Sequence, residues 1–352
     1  MSAYPPHHNT KRSRIVLSSN AIMDQQNAKG WTKGIPVPRG NYRYGHGCSE
    51  IDVYRMIIVG GWDADTRRKL SSGIIYDSRT KQWTNLPRNM PVALDGCSVI
   101  ANAEYAYVIG GANKKFSPVN TLYRISLETF KWTKMAPMRV RRKNCATVLK
   151  GNYIYVFGGC DESCWLVSVE RYSIAENSWQ DLSDMPRKRC ARPSAVIFGK
   201  DIYIMGGLKG LDVFDTASSM WKTEENRSGT FPKAITGTSA ITAVALKNRF
   251  LVAIGDWKDQ SQSCYIYDRI SKFWAKTPNL LKMNFSRAIH TAAVLDGKIV
   301  VFGGSGNRDL SSSIEFIDVD DLLECVPLAY PLPTFYFDQI LILAKRKMCD
   351  DN

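Results

Sequence analysis

The stretch MIIVGG at Met56–Gly61 returns as YVIGG at Tyr107–Gly111, YVFGG at Tyr155–Gly159, YIMGG at Tyr203–Gly207 and VVFGG at Val300–Gly304. A degenerate copy, VAIGD, runs from Val252 to Asp256. The first glycines fall at 60, 110, 158, 206, 255 and 303, a period of 48 to 50 residues met six times. Each unit reads as four short strands with turns between them and carries no 3.6-residue periodicity, which excludes helical solenoids.

Two further markers keep step with the doublets Gly60-Gly61, Gly110-Gly111, Gly158-Gly159, Gly206-Gly207 and Gly303-Gly304. Tyr76-Asp77 precedes Trp83, Tyr123 lies upstream of Trp132, and Tyr172 precedes Trp179; Phe214-Asp215 precedes Trp221, and Tyr267-Asp268 precedes Trp274. The doublet suits a backbone that must turn, or approach a neighbouring sheet, where a side chain would clash. The tryptophan suits an outer strand whose large ring packs between adjacent sheets.

With the doublet, the Tyr-Asp step and the tryptophan in register, residues 30 to 326 resemble the kelch-repeat family. The resemblance implies an all-β fold, a six-bladed β-propeller with four antiparallel strands per blade. Six residues on from Asp318, where the other blades place tryptophan, stands Glu324, while Trp31 precedes the first complete unit. The strand around Trp31 is therefore expected to complete the sixth blade and close the ring. The competing arrangement completes that blade with residues 322–328. The expected organisation is a basic N-terminal tail at 1–28, the propeller at 29–326 and a C-terminal tail at 327–352. Both tails are too short for a BTB or F-box module.

The chain carries 47 basic and 33 acidic side chains, a formal +14. The connections between blades, 34–45, 85–95, 134–143, 181–192, 224–236 and 277–287, carry +11 of this surplus and emerge on one face. Arg43, Arg142, Arg189 and Arg287 lie 16 or 17 residues before their first glycine, so they are expected to form a partial ring near the channel mouth, interrupted at Leu94 and Ser239. Arg39, Arg139, Arg141, Arg187 and Arg192 extend the same segments, and Trp62, Trp165 and Trp257 offer apolar anchors beside them. Guanidinium forks suit carboxylates and phosphates, and arginine with aromatic residues is the pairing that protein interfaces favour.

The expectation is a non-catalytic adaptor, a monomer that presents this face to an acidic or phosphorylated protein segment. Kelch propellers that recruit substrates to cullin-type ubiquitin ligases use loop arginines in this way. The resemblance thus implies substrate recognition with the ligase-binding segment on a separate chain. The alternatives are nucleic-acid or phosphoinositide binding by the basic face, or a propeller enzyme of mutarotase or metal-dependent type. No cofactor or metal is expected. His46 and His290 lack a third ligand, and Cys160 and Cys164 lack a second pair at zinc spacing. Cys48, Cys97 and Cys145 share one position on three inner strands, which suits core packing; a reactive thiol cluster is the other reading.

The first 30 residues mix Pro5, Pro6, His7, His8, Lys11, Arg12 and Arg14 with polar groups and hold no apolar signal core. A cytoplasmic location is expected, with the nucleus as the alternative. Val326–Ala344, the most apolar stretch, is broken by Pro327, Pro331, Pro333 and Asp338, so no membrane insertion is expected.

Overall fold

The computed structural model describes residues 30–189, 192–206, 210–224, 240–255, 262–305 and 308–324. The tails at 1–28 and 327–352, with Gly207, Ser239 and Trp257, lie outside the described residues. Six four-stranded antiparallel sheets form the blades of a propeller. Blade one is Gly47–Glu50, Arg55–Val59, Gly73–Asp77 and Gln82–Asn85, each strand pairing with the next from the channel outward. Blades two to five repeat that order with inner strands Ser98–Ala101, Ala146–Lys150, Ser194–Phe198 and Thr242–Leu246. The inner strands neighbour one another in sequence, and Thr291–Leu295 of blade six returns to Gly47–Glu50.

Blade six is Thr291–Leu295, Lys298–Phe302 and Ile314–Asp318, completed by Thr32–Lys33 from the start of the chain. Thr32 faces Phe316 and Lys33 faces Glu315, so the N-terminal strand closes the ring. The competing arrangement fails because Val319–Glu324 coils into a short helix instead of returning along the sheet. The tryptophans record the same closure. Trp83, Trp132, Trp179 and Trp221 each donate an indole N–H to a carbonyl of the connection leading into their own blade, at Ile35, Arg88, Ala136 and Ser183, over 2.8–3.0 Å. Trp31 donates to the Leu281 carbonyl at 3.0 Å, and Leu281 lies in the connection leading into blade six.

Both faces of each blade are covered by its neighbours, so the second strands read as continuous apolar runs and are buried almost throughout. The described residues pack into six apolar clusters, each shared by two adjacent blades. The glycine doublets make that proximity sterically feasible. A Cβ on Gly60 would stand 2.5 Å from the Leu94 carbonyl of the next blade, and one on Gly159 would stand 2.5 Å from the Lys143 carbonyl. Both glycines also hold positive φ, 70° at Gly60 and 85° at Gly159, which suits no branched side chain.

Inner strands of adjacent blades lie side by side around the channel in separate sheets, and hydroxyls bridge the interval between them. Ser98 donates to the Cys145 carbonyl, Thr242 donates to the His290 carbonyl at 3.0 Å, and Ser194 accepts from the Ala243 N–H at 2.9 Å. Trp31→Ala should remove a ring that is 7% exposed together with its bond to Leu281. The expected loss is about 3–5 kcal/mol of unfolding free energy by urea titration. An unchanged midpoint would show that closure does not depend on this anchor.

Candidate functional site

The four arginines in register are internal struts. Arg43, Arg142, Arg189 and Arg287 are each 0% exposed. Strand pairing stops where the doublet ends the second strand, which leaves backbone carbonyls needing donors. The guanidinium supplies them. Arg142 Nη1 donates to Gly158 at 2.9 Å and to Ser168 at 3.0 Å, while Nη2 donates to Glu170 Oε1 at 2.7 Å. Arg189 repeats this on Gly206, Gly210 and Asp212, and Arg287 on Gly303, Ser313 and Glu315. Arg43 holds Gly60, Ser72 and Asn41 without a carboxylate in bonding contact, and burial brings its pKa down to about 10 despite nearby Asp63.

These four residues therefore do not form the solvent-facing ring that their spacing suggests. Equivalent spacing marked an equivalent structural task. Blade two provides the internal control: with Leu94 in the arginine position, Tyr123 stands where Glu170 stands, and the buried Thr121 hydroxyl, the counterpart of Ser168, has no hydrogen-bond partner among the described residues.

What reaches solvent on this face is different. Arg39, Arg141 and Lys188 are exposed. Arg139 is exposed but paired with Asp181 at 2.5 Å, and Arg187 is partly buried against Asp212 at 2.8 Å. Trp165 is partly buried and bridges back to Cys160. The loops between second and third strands add Arg67 and Arg68 in blade one and Lys114 and Lys115 in blade two, all exposed. Counting only the inter-blade connections passes over these four. Their signal was the basic content of the loops that follow the doublets, Arg67, Arg68 and Lys69 in Trp62–Ser72 and Lys114-Lys115 after Gly111.

Between those two basic pairs lies an aromatic shelf. Tyr44 stacks on Trp62 with ring centres 6.5 Å apart, and Trp62 meets Phe116 at 5.8 Å. Phe116 is 63% exposed and sits at φ 65°, a left-handed conformation that a bulky residue rarely adopts. Lys69 holds the shelf from beneath. Its ammonium lies 5.4 Å from the Trp62 ring centre and 4.5 Å from that of Phe116, pairs with Asp95 at 2.5 Å, and donates to the Asn113 carbonyl at 2.6 Å. The side chain is 3% exposed, so this cation ties blade one to blade two and is not itself available.

The central channel is lined by small residues with His46, His290, Cys48, Cys97, Cys145 and Arg192 among them. Its free volume is about 340 Å³. Burial pushes the Cys48 and Cys97 thiols up to about 12 and raises Cys145 as well, so all three rest as neutral thiols. Burial, reinforced by Arg287 and Arg192, brings His290 down to about 3, and His46 is also held well below its usual value. Among the described residues no group of three or more His, Cys, Asp or Glu side chains could hold a metal ion, and no helix is long and apolar enough to cross a membrane.

With this geometry in place, the comparisons with known proteins are direct. The KLHDC2/KLHL20/DRC7 Kelch-repeats domain model matches residues 18–207. Kelch-like protein 40 of Mus musculus is 28% identical over 183 residues, which cover 52% of this chain and 29% of that protein. Kelch-like protein 15 of Danio rerio is 27% identical over 288 residues, 72% of this chain and 45% of that protein. Kelch-like protein 38 of Homo sapiens is 25% identical over 260 residues, 71% of this chain and 42% of that protein. The matched regions span less than half the length of these relatives.

Two measurements follow from the buried charges. Arg142→Ala should cost about 3–5 kcal/mol, because Glu170 is left buried without its partner. Arg142→Leu with Glu170→Tyr, the blade-two combination, should recover most of that loss in urea unfolding. Stability should also fall with acid. The unfolded chain protonates histidine near 6.5 while the folded chain keeps His290 neutral to about 3. The histidine contribution is therefore complete above pH 6.5 and is lost below it, by up to about 1.4 kcal/mol per pH unit per histidine. His290→Gln should flatten the slope of unfolding free energy between pH 6.5 and 5, and an unchanged slope would contradict the assignment.

Proposed function

Because the chain belongs to the kelch-repeat propeller family, we propose that it is a non-catalytic protein-interaction module whose blade-one and blade-two rim takes an acidic or phosphorylated segment of a partner chain. The observation that carries this reading is the exposed Phe116 beside Trp62, braced by Lys69 and flanked by Arg67, Arg68, Lys114 and Lys115. A rigid aromatic surface loses little conformational freedom when a partner covers it. The basic groups around it can meet carboxylates or phosphates, the arginines in two-point fashion.

Charge density supports the same reading. Arg67, Arg68, Lys114 and Lys115 have no ion-pair partner among the described residues, whereas Arg139 and Arg187 lower on the face are already matched by Asp181 and Asp212. A partner carboxylate approaching the rim competes with no internal acid. Arg39 and Arg141 extend the field around the ring and would steer an acidic chain toward it. In this proposal the protein works as a monomer in the cytoplasm or nucleus. Recognition of substrates for a ubiquitin ligase assembled through a separate chain is the role that the family resemblance favours.

The test is fluorescence anisotropy with a labelled Asp/Glu-rich peptide and its phosphoserine counterpart. Phe116→Ala and a quadruple Arg67, Arg68, Lys114 and Lys115 alanine variant should each weaken binding by about tenfold or more. Arg39→Ala should matter less. Undiminished binding by the quadruple variant would remove the rim from the proposal, and preference for a DNA or phosphoinositide probe with a steep salt slope would favour the basic-face alternative.

A further inference from the structure

Arg192 opens the innermost part of blade four and reaches across the ring. Its Nε donates to Asn144 Oδ1 in blade three at 2.7 Å, and its Nη2 donates to the Gly45 carbonyl of blade one at 3.2 Å. The mouth it crosses is collared by main-chain bonds. Gly96 N donates to Gly45 O at 2.8 Å and Asn144 N donates to Gly96 O at 2.7 Å, so three successive blades are tied at one level.

Arg192 differs from the struts in one respect. Arg142, Arg189 and Arg287 each have a carboxylate at 2.5–2.7 Å, whereas Arg192 has none within ion-pair distance among the described residues. Asp95 attracts it but is held by Lys69 at 2.5 Å. Arg192 is partly buried, and a guanidinium drawn partly out of water with no carboxylate beside it favours an anion.

Two imidazoles stand at the same level, His46 and Arg192 each fourteen residues before their first glycine and His290 thirteen. They are 2% and 3% exposed and line the same channel. Thr291 Oγ1 meets His46 Nε2 at 2.9 Å, which leaves Nδ1 unpartnered. Among the described residues neither ring nitrogen of His290 reaches a partner with good hydrogen-bond geometry, the Ile254 backbone being the polar group that acts on it. Unpartnered buried polar atoms are uncommon in folded proteins and call for an occupant.

We propose that the channel mouth is a site for a small tetrahedral oxyanion of the sulfate or phosphate class, held by Arg192 with His46 and His290. Arg192 bonds Asn144 and Gly45 through Nε and Nη2, which leaves Nη1 for the ion; each neutral imidazole carries one N–H, and the channel's free volume of about 340 Å³ admits the ion with room for water. The site is separate from the rim and would be filled whether or not a partner is bound.

The test is calorimetric titration of inorganic sulfate, and separately phosphate, into the full chain at fixed ionic strength and pH 7. The expected result is one saturable site per chain, weakened about tenfold or more in Arg192→Gln, since a charge-assisted contact is removed. His290→Leu should weaken it less. Should Arg192→Gln fail to fold by circular dichroism, Arg192→Lys and His290→Leu decide by the same comparison. The quadruple rim variant should bind sulfate as the wild type does, which separates this site from the rim. Absence of saturable binding, equal affinity in the Arg192 and His290 variants, or loss in the rim variant alone would overturn the proposal.

Discussion

A guanidinium placed where strand pairing runs out is the contact on which the faces of this propeller depend. At Arg142, Arg189 and Arg287 one side chain serves the carbonyl of the first doublet glycine, the residue that opens the third strand, and a carboxylate on that strand. Each such arginine fixes an inter-blade connection against its own sheet. The next blade, in turn, is pressed onto that connection through its glycine doublet, as the approach of Gly60 to Leu94 illustrates. Sheet geometry alone would leave those carbonyls desolvated and unmatched, at a cost of about 1–3 kcal/mol for each.

The fold was legible in the sequence because its markers are steric. A doublet at which an added Cβ would stand 2.3–3.3 Å from neighbouring backbone, with positive φ besides, favours glycine strongly, so the pair recurs at every blade but one. Closure was legible for a related reason: counting tryptophans showed one too few after Asp318 and one too many before Tyr42, and Trp31 supplies the bond to Leu281 that balances the ring. The binding face was less legible. Regular spacing identifies residues with a shared role, and the role shared by Arg43, Arg142, Arg189 and Arg287 is internal. Sequence gives charge per segment but not whether a carboxylate twenty-odd residues away, such as Glu170 or Glu315, already answers it.

Solvent exposure separates the remaining basic groups into two electrostatic settings. Arg67, Arg68, Lys114 and Lys115 stand in water, where any single interaction is weak and screened. Arg192 faces a narrow channel with neutral thiols and neutral imidazoles around it, where one charge acts strongly because little else competes. The same residue type thus stands as a buried strut, as an exposed surface charge or as a channel cation without a carboxylate, and burial with or without a carboxylate decides which.

The aromatic shelf stands where the repeat rule is broken. Blade two has Leu94 in place of a strut arginine and Tyr123 in place of a third-strand acid, so its connection is held some other way. Lys69, arriving from the long loop of blade one, takes over that task by pairing with Asp95 and bonding the Ala112 and Asn113 carbonyls. Because its ammonium enters from the rim and not from within the blade, it needs a covering, and Trp62 and Phe116 provide one through their ring faces. Phe116 can serve as that lid only by turning one side outward and accepting a left-handed backbone. The exposed aromatic surface thus stands at a blade that has no strut arginine.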